Sequence, residues 1–352
     1  MLEFARSVSA VYSERAMVKI LVTGGAGYIG SHAARFLDQA GHDVWVYDNL
    51  GLGHRAAALA GRLIEGDLHD QTRLTAALRE KAIDAVMHFA AFALVGESVA
   101  DPAKYYRNNV GGSLSLLEAM RAAGVAKIVF SSTTATYGAP QNMPISEDEP
   151  QQPINPYGFT KLAIERALED YAHAYGFAYA ALRYFNAAGA NPHGDLGEDH
   201  SPESHLIPIV LQVALGQRER ITLFGDDYPT PDGTCIRDYV HVDDLASAHA
   251  LALERLTPGE GLKLNLGTGH GQSVREVIDA CRRVTGRDIP EEIGPRRPGD
   301  PPELVADARR ARQVLGWTPK FVELDAIVAT AWRWHASHPH GYGDRAGRAA
   351  LE

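Results

Sequence analysis

The sequence predicts an α/β protein: a doubly wound parallel sheet followed by a smaller C-terminal α/β lobe. Three observations carry this. Short apolar runs alternate with amphipathic stretches through the first half. A glycine-rich turn joins the first run to the first amphipathic stretch, and the second run ends in an acid. The expected strands are 18–23, 43–47, 63–65, 85–89, 127–131 and 178–184, six runs that suit such a sheet. Helices are expected at 29–39, closed by Gly41, and at 114–123, closed by Gly124. After Asn186 the chain turns to connections rich in Gly, Pro, His and Asp, such as Gly189-Ala190-Asn191-Pro192-His193-Gly194-Asp195. Connections of this kind can line a cleft. Helical stretches continue at 206–214, 243–254 and 273–284 without a comparable parallel-strand rhythm. Residues 1–16 precede the first strand and are set apart as an extension. The first domain is expected over 17–186 with a return of 238–268, and the second lobe over 187–352, mainly 187–237 and 269–352.

Composition narrows the function classes. The 352 residues, 45% apolar and 22% charged, are those of an ordinary globular chain of about two domains. A formal net charge of -10 argues against a general binder of nucleic acid. No apolar run approaches the roughly 20 residues that span a bilayer, and the N-terminus lacks a secretory h-region. The two cysteines, Cys235 and Cys281, make neither a disulfide framework nor a metal cluster. A soluble, reducing, cytoplasmic setting is therefore expected, with no membrane and no nucleic acid as partner.

The run Leu21-Val22-Thr23-Gly24-Gly25-Ala26-Gly27-Tyr28-Ile29-Gly30 passes from strand through turn to helix. Its glycines permit close approach of the backbone to a pyrophosphate, which then meets the helix N-terminus. Asp48, closing the second strand, stands at about the spacing of 20 residues where an acid accepts from a ribose hydroxyl. It would repel a 2′-phosphate, so NAD is favoured over NADP. Asp67-Leu68, after the third strand, can reach an adenine.

Tyr157 and Lys161, four residues apart, share one helix face. Asn155 reads as the N-cap and Pro156 as the first helical residue, which puts Tyr157 in the first turn. The lysine charge and the helix dipole both favour a phenolate, pulling on a pKa that is about 10 in free tyrosine. Hydride chemistry on an alcohol is the activity that such a pair and a bound dinucleotide would serve.

The motifs Thr23-Gly24-Gly25-Ala26-Gly27-Tyr28-Ile29-Gly30, Asp48-Asn49-Leu50, His88-Phe89-Ala90-Ala91, Val95-Gly96-Glu97-Ser98, Asn108-Asn109-Val110, Phe130-Ser131-Ser132-Thr133, Pro156-Tyr157-Gly158, Arg183-Tyr184-Phe185-Asn186, Arg237-Asp238-Tyr239-Val240-His241-Val242 and Arg297-Pro298-Gly299-Asp300 follow one another in order. From about Val18 to Trp334 the chain resembles the extended short-chain dehydrogenase/reductase family, and within it the 4-epimerases of UDP-hexoses. The resemblance implies a Rossmann domain, tightly bound NAD, a UDP-sugar substrate inverted at C4 through a 4-keto intermediate, and a homodimer formed through helices near Leu114 and Leu162. It implies that Tyr157 exchanges the proton of the 4-hydroxyl, that Lys161 lowers the tyrosine pKa and binds the nicotinamide ribose, and that Thr133 hydrogen-bonds the sugar oxygen. Cofactor contacts fall on Gly24, Gly27, Tyr28, Ile29, Gly30, Asp48, Asn49, Asp67, Leu68, Phe89, Ala90, Ala91 and Asn109, with Tyr157 and Lys161. Arg237 and Arg297 match positions near the diphosphate, where a guanidinium fork suits the oxygens. Asn186, His205, Leu206, Thr222, Phe224, Tyr239, Asp300 and Leu304 match positions lining nucleotide or sugar.

Departures from the family pattern sharpen the expectation. Ala93 stands where some members carry a lysine reaching the cofactor. His205 replaces an asparagine and is read as a polar pocket residue, no metal being expected because no further ligands were recognised beside it. Leu304 stands where glucose/galactose-type members have tyrosine, leaving partial room for a 2-acetamido group. Thr133-Thr134-Ala135 lacks the acids that a 4,6-dehydratase or a related decarboxylase needs for its extra proton transfers. A simple nucleotide-sugar reductase and a non-catalytic NAD sensor are the remaining alternatives, and the sensor has no need of Tyr157 with Lys161.

Overall fold

The computed structural model describes residues 16–344 apart from residue 298, so the expected extension lies almost wholly outside the described residues. The strands in chain order are β1 (Lys19–Thr23), β2 (Asp43–Asp48), β3 (Leu63–Glu65), β4 (Ala85–His88), β5 (Lys127–Ser131), β6 (Ala178–Arg183), β7 (Asn186–Ala188), β8 (Ile221–Phe224), β9 (Ile236–His241), β10 (Gly261–Asn265), β11 (Gly271–Ser273), β12 (Glu291–Gly294) and β13 (Glu303–Leu304). The chain divides into two compact units. Unit 1 holds the residues up to Ser132, then Pro153–Leu182 and Ala246–Lys263; unit 2 holds Thr133–Gln152, Arg183–Leu245 and the residues from Leu264 on. This differs from the expected boundaries in three places, the first being that residues 183–186 go with unit 2. Residues 133–152 go with unit 2, and the returning segment of unit 1 is 246–263 rather than 238–268.

Unit 1 is built on a seven-stranded sheet in the order β10-β6-β5-β4-β1-β2-β3. The pairs linking β6 through to β3 are all parallel. All six expected strands are present, each within one residue of its expected ends. β10, which the sequence reading left out, is the seventh. β4 and β6 are buried along their whole length, as strands covered on both faces must be. One core cluster joins Leu21 and Val86 of the sheet to Leu116, Leu117 and Met120 from helix Gly112–Ala123 and to Ile164 and Leu168 from helix Pro156–Tyr175. Strand order reverses at β1, which has β2 on one side and β4 on the other. The crevice at the carboxyl ends of β1 and β4 is where a doubly wound sheet takes its ligand.

Unit 2 contains parallel pairs, although its sequence shows no parallel-strand rhythm. β7 and β13 run parallel to β9, β11 runs antiparallel to it, and β8 pairs parallel with β12. These strands are two to six residues long, too short to show a periodicity in sequence. The core of unit 2 gathers Val210, Leu211, Val277, Ile278, Ile327 and Val328 from three helices around Leu223 and Tyr239. No helix among the described residues is long and apolar enough to cross a membrane.

Candidate active site

The glycine turn is a cradle made of backbone. Gly24 has φ +72°, and a Cβ there would lie 2.5 Å from the Ala90 nitrogen. A Cβ on Gly30 would come within 2.2 Å of the Gly24 carbonyl. Only glycine fits either place. Helix Tyr28–Gln39 begins at Gly27 with no side-chain cap, so its first N–H groups are offered outward beside the positive end of the helix dipole. These features fit a pyrophosphate, and the chemistry of the donors fits NAD.

Asp48 is buried, with one carboxylate oxygen accepting from Ala26 N at 3.0 Å and the other from Leu50 N at 2.8 Å. Burial raises its pKa, and the two N–H bonds oppose that. The acid thus ties the glycine turn to the end of β2, and each oxygen keeps a second lone pair for a ribose hydroxyl. Asn49 donates to the Asp67 carboxylate at 2.8 Å, which brings together the two expected adenosine segments. Phe89 and Ala90, expected as cofactor contacts, follow β4 and border Gly24. Asn109 has a different part. It is fully buried, joined in both directions to the Phe92 backbone at 2.9 and 3.0 Å and to Thr160 Oγ1 at 3.1 Å. Its amide is committed to protein, where it positions the loop after β4.

Asn155 caps helix Pro156–Tyr175 by accepting from Gly158 N at 2.8 Å, and Tyr157 lies in the first turn, as the spacing predicts. Ser98 Oγ accepts from Tyr157 N at 3.2 Å, and Thr160 Oγ1 donates to Tyr157 O at 2.7 Å. The backbone beneath the phenol is therefore fixed from two sides. Lys161 is 3% exposed, its Nζ donating to Ser131 O at 2.7 Å and standing 4.8 Å from the Phe130 ring centroid. Burial brings its pKa down to about 7, with Glu165 pulling the other way. Glu165 is itself fully buried and accepts from Ser132 Oγ at 2.5 Å. His88, buried between Thr23 Oγ1 at 2.7 Å and Ser113 Oγ at 2.8 Å, is held down to about 3 by burial and by the lysine charge. It stays neutral.

Glu165 and Ser98 were missed by sequence reasoning. For Glu165 a signal existed: it follows Lys161 by four residues on the same helix face. Ser98 lies in a motif that gave no hint of its partner.

Most of the remaining candidates in unit 2 fall in two groups. Around β9, Arg237 donates to the Asp300 carboxylate and to Pro301 O at 2.8 Å, and it pairs in register with Leu304 of β13. Tyr239 pairs in register with Asn186 of β7, and Asn186 donates to Asp238 O at 3.1 Å. Burial raises the Tyr239 pKa. Around β8, the Arg297 guanidinium lies 4.1 Å over the Phe224 ring, and Thr222 Oγ1 meets Glu292 at 3.0 Å. Phe224 is 40% exposed, so it is a surface platform and no core residue. Thr133 is the N-cap of a short 3-10 turn, its hydroxyl accepting from Ala135 N at 3.1 Å.

Asp238 stands in a motif that gave no hint of its partners. It is fully buried in β9, accepts from Thr268 and Gly269, and would clash with a Cβ at Gly267. Leu206 opens helix Leu206–Ala214 as expected. His205, just before it, is in the company that the sequence reading did not find: Glu198, His200 and Glu203 offer ligand atoms that lie with its own within 4.8 Å of one another.

The sequence model of the NAD dependent epimerase/dehydratase family matches residues 20–267. UDP-glucose 4-epimerase of Halalkalibacterium halodurans is 58% identical over 324 residues, covering 92% of this chain and 97% of that protein. UDP-glucose 4-epimerase from Brucella ovis, solved in complex with NAD, superposes with a TM-score of 0.87 at 53% identity, covering 90% of this chain and 97% of that one. The UDP-Glc/GlcNAc 4-epimerase of Campylobacter jejuni superposes with a TM-score of 0.80 at 44% identity, covering 91% and 99%. With a glycine cradle, an acid-ended second strand and a capped Tyr157–Lys161 helix all in place, this chain belongs to the NAD dependent epimerase/dehydratase family.

Proposed function

We propose that this chain inverts C4 of a UDP-hexose, interconverting UDP-glucose and UDP-galactose. The observation that carries the reading is the helix that fixes Tyr157 in its first turn and buries the Lys161 amine one turn on. When bound, NAD would supply a reversible hydride acceptor, so the reaction would have no net redox change. Tyr157 takes the proton of the 4-hydroxyl as hydride leaves C4 and gives it back after the 4-keto sugar has presented its other face. Lys161 holds a charge where burial resists it, and that charge favours the phenolate. The Thr133 hydroxyl hydrogen-bonds the reacting sugar oxygen. Arg237 and Arg297 take the diphosphate, Arg237 exchanging part of its bonding with Asp300 to do so. Asn186, Leu206, Thr222, Phe224 and Tyr239 line the nucleotide and sugar, and Leu304 sets the room at the 2-position.

Elimination of water is disfavoured, since Thr134 and Ala135 supply neither acid nor base. The test uses purified protein and UDP-galactose without added cofactor. UDP-glucose should appear with no accumulation of free NADH. A 4-keto-6-deoxy product, or stoichiometric NADH release, overturns the reading.

We also propose a cytoplasmic homodimer. Val99, Tyr106, Leu114 and Phe159 are exposed apolar side chains on or leading to helices Gly112–Ala123 and Pro156–Tyr175, with the Tyr106 and Phe159 rings tilted against each other at 6.0 Å. Burying such a patch against a second copy removes apolar area from water. Phe159→Glu should halve the mass seen in sedimentation; an unchanged mass counts against this face. Cys235 and Cys281 are both buried free thiols, as a reducing compartment permits.

A further inference from the structure

We propose that Glu198, His200, Glu203 and His205 form a binding site for a divalent transition metal, best matched by zinc. Two imidazoles and two carboxylates converge there. His205 Nδ1 lies 2.6 Å from Glu198 Oε1 and 3.3 Å from Glu203 Oε1. His200 Nδ1 lies 3.0 and 3.9 Å from the same two oxygens. A tetrahedral ion with bonds of about 2.0–2.1 Å has ligand-to-ligand edges of about 3.3 Å, a value these distances bracket. Softer thiolate ligands are missing from the set, and an octahedral all-oxygen ion would not choose imidazole, so nitrogen and oxygen donors in this proportion select zinc or its near neighbours.

An ordinary ion pair explains the cluster less well. Glu198 is 3% exposed, and its Oε1 and His205 Nδ1 approach closely without the alignment of a hydrogen bond. One divalent ion would take up this close contact as shared coordination.

The support around the ligands is of the kind a metal site needs. Glu203 Oε1 accepts from Ser204 N at 2.8 Å and His205 N at 2.9 Å, fixing the carboxylate. Trp334 Nε1 donates to Glu198 O at 2.9 Å, and Tyr342 N donates to Asp199 Oδ2 at 2.9 Å. Gly197 packs on Trp334 so closely that a Cβ would stand 2.2 Å from the indole. The loop is thus held rigid on one side while His200 and His205, with side chains 31% and 42% exposed, leave an approach open on the other. A bound ion would staple the Glu198 loop to the start of helix Leu206–Ala214. It would stabilise unit 2 and take no part in hydride transfer.

The experiment is metal binding to the full chain with its cofactor in place, after treatment with a chelator, using zinc chloride alone and cobalt chloride alone. About one zinc per chain should bind, Co²⁺ should give the intense visible bands of a tetrahedral complex, and a hundredfold excess over Kd should raise Tm by about 3–4 °C. His200→Ala should weaken zinc at least tenfold while NAD content stays unchanged, and His193→Ala, outside the cluster, should bind as the parent does. Should His200→Ala fold poorly, Glu203→Gln replaces it, and the cobalt spectrum of the parent decides on its own. Zinc binding equal in parent and variants, or cobalt bound only with octahedral spectra, overturns the proposal. Neither result bears on epimerisation, which is read separately from UDP-galactose.

Discussion

The glycine-turn region of unit 1 and the candidate substrate residues of unit 2 are built on opposite plans. The first is backbone: a turn that admits no Cβ at Gly24 or Gly30, a helix start without a side-chain cap, and an acid tied to that turn. The second is side chain: Arg237 on Asp300, Arg297 on Phe224, Thr222 on Glu292, mostly part-exposed and engaged with one another. A backbone cradle cannot be tuned by small substitutions without breaking. A side-chain pocket can exchange partners, and so can change its substrate while the chemistry stays fixed.

The largest effect should come from Tyr157. Tyr157→Phe keeps the helix and the cradle but removes the exchangeable proton, and turnover of UDP-galactose should fall by about 10³-fold or more. NAD measured in the purified protein should be unchanged; substantial remaining turnover would point to another base. Next comes Gly30→Ala, whose Cβ meets the Gly24 carbonyl. It should cost about 1–3 kcal/mol of stability and most of the bound NAD, seen as a lower Tm and a loss of cofactor absorbance. A variant that retains full NAD would show that the turn is less rigid than its geometry implies.

On the side-chain plan the losses should be graded. Arg237→Ala should raise KM for the UDP-sugar by about 10–100-fold with a smaller change in kcat, since a charge-assisted bond to the diphosphate is lost. Leu304→Tyr should reduce activity on UDP-N-acetylglucosamine by about tenfold while sparing UDP-glucose, the scale expected for steric discrimination in a pocket. Equal failure of parent and variant on the acetylated sugar would remove Leu304 as a determinant.

The smallest effect is a pH slope. Lys161 is held down to about 7 in the fold by burial, against about 10.4 for a free lysine. Between those values the unfolded chain holds the extra proton, so this group makes the cofactor-free protein more stable as pH rises from about 7 towards about 10. Below about 7 both states are protonated and its contribution is constant. Chemical denaturation across that range should show the slope in the parent and lose it in Lys161→Met.

How much of this was legible follows the same division. Gly24, Asp48, Asn155, Tyr157 and Lys161 announce themselves because local conformation constrains them: a positive φ, an N-cap, a helical spacing of four. Asn109 was legible as a motif but not in its role, because the Phe92 and Thr160 partners come from other segments. The short parallel strands of unit 2 were not legible, since two to six residues carry no period.

By itself the sequence determined the sheet class, the dinucleotide turn and the capped helix that carries Tyr157 and Lys161, because each is a matter of local backbone preference and spacing along one element. Only the tertiary structure decided that Lys161 is buried on the Ser131 carbonyl, that Asp238 organises the Thr268 loop, and that His205 has three ligand-bearing neighbours. Burial and convergence depend on segments far apart in the chain, or on how a loop folds back on itself. No propensity or spacing records them.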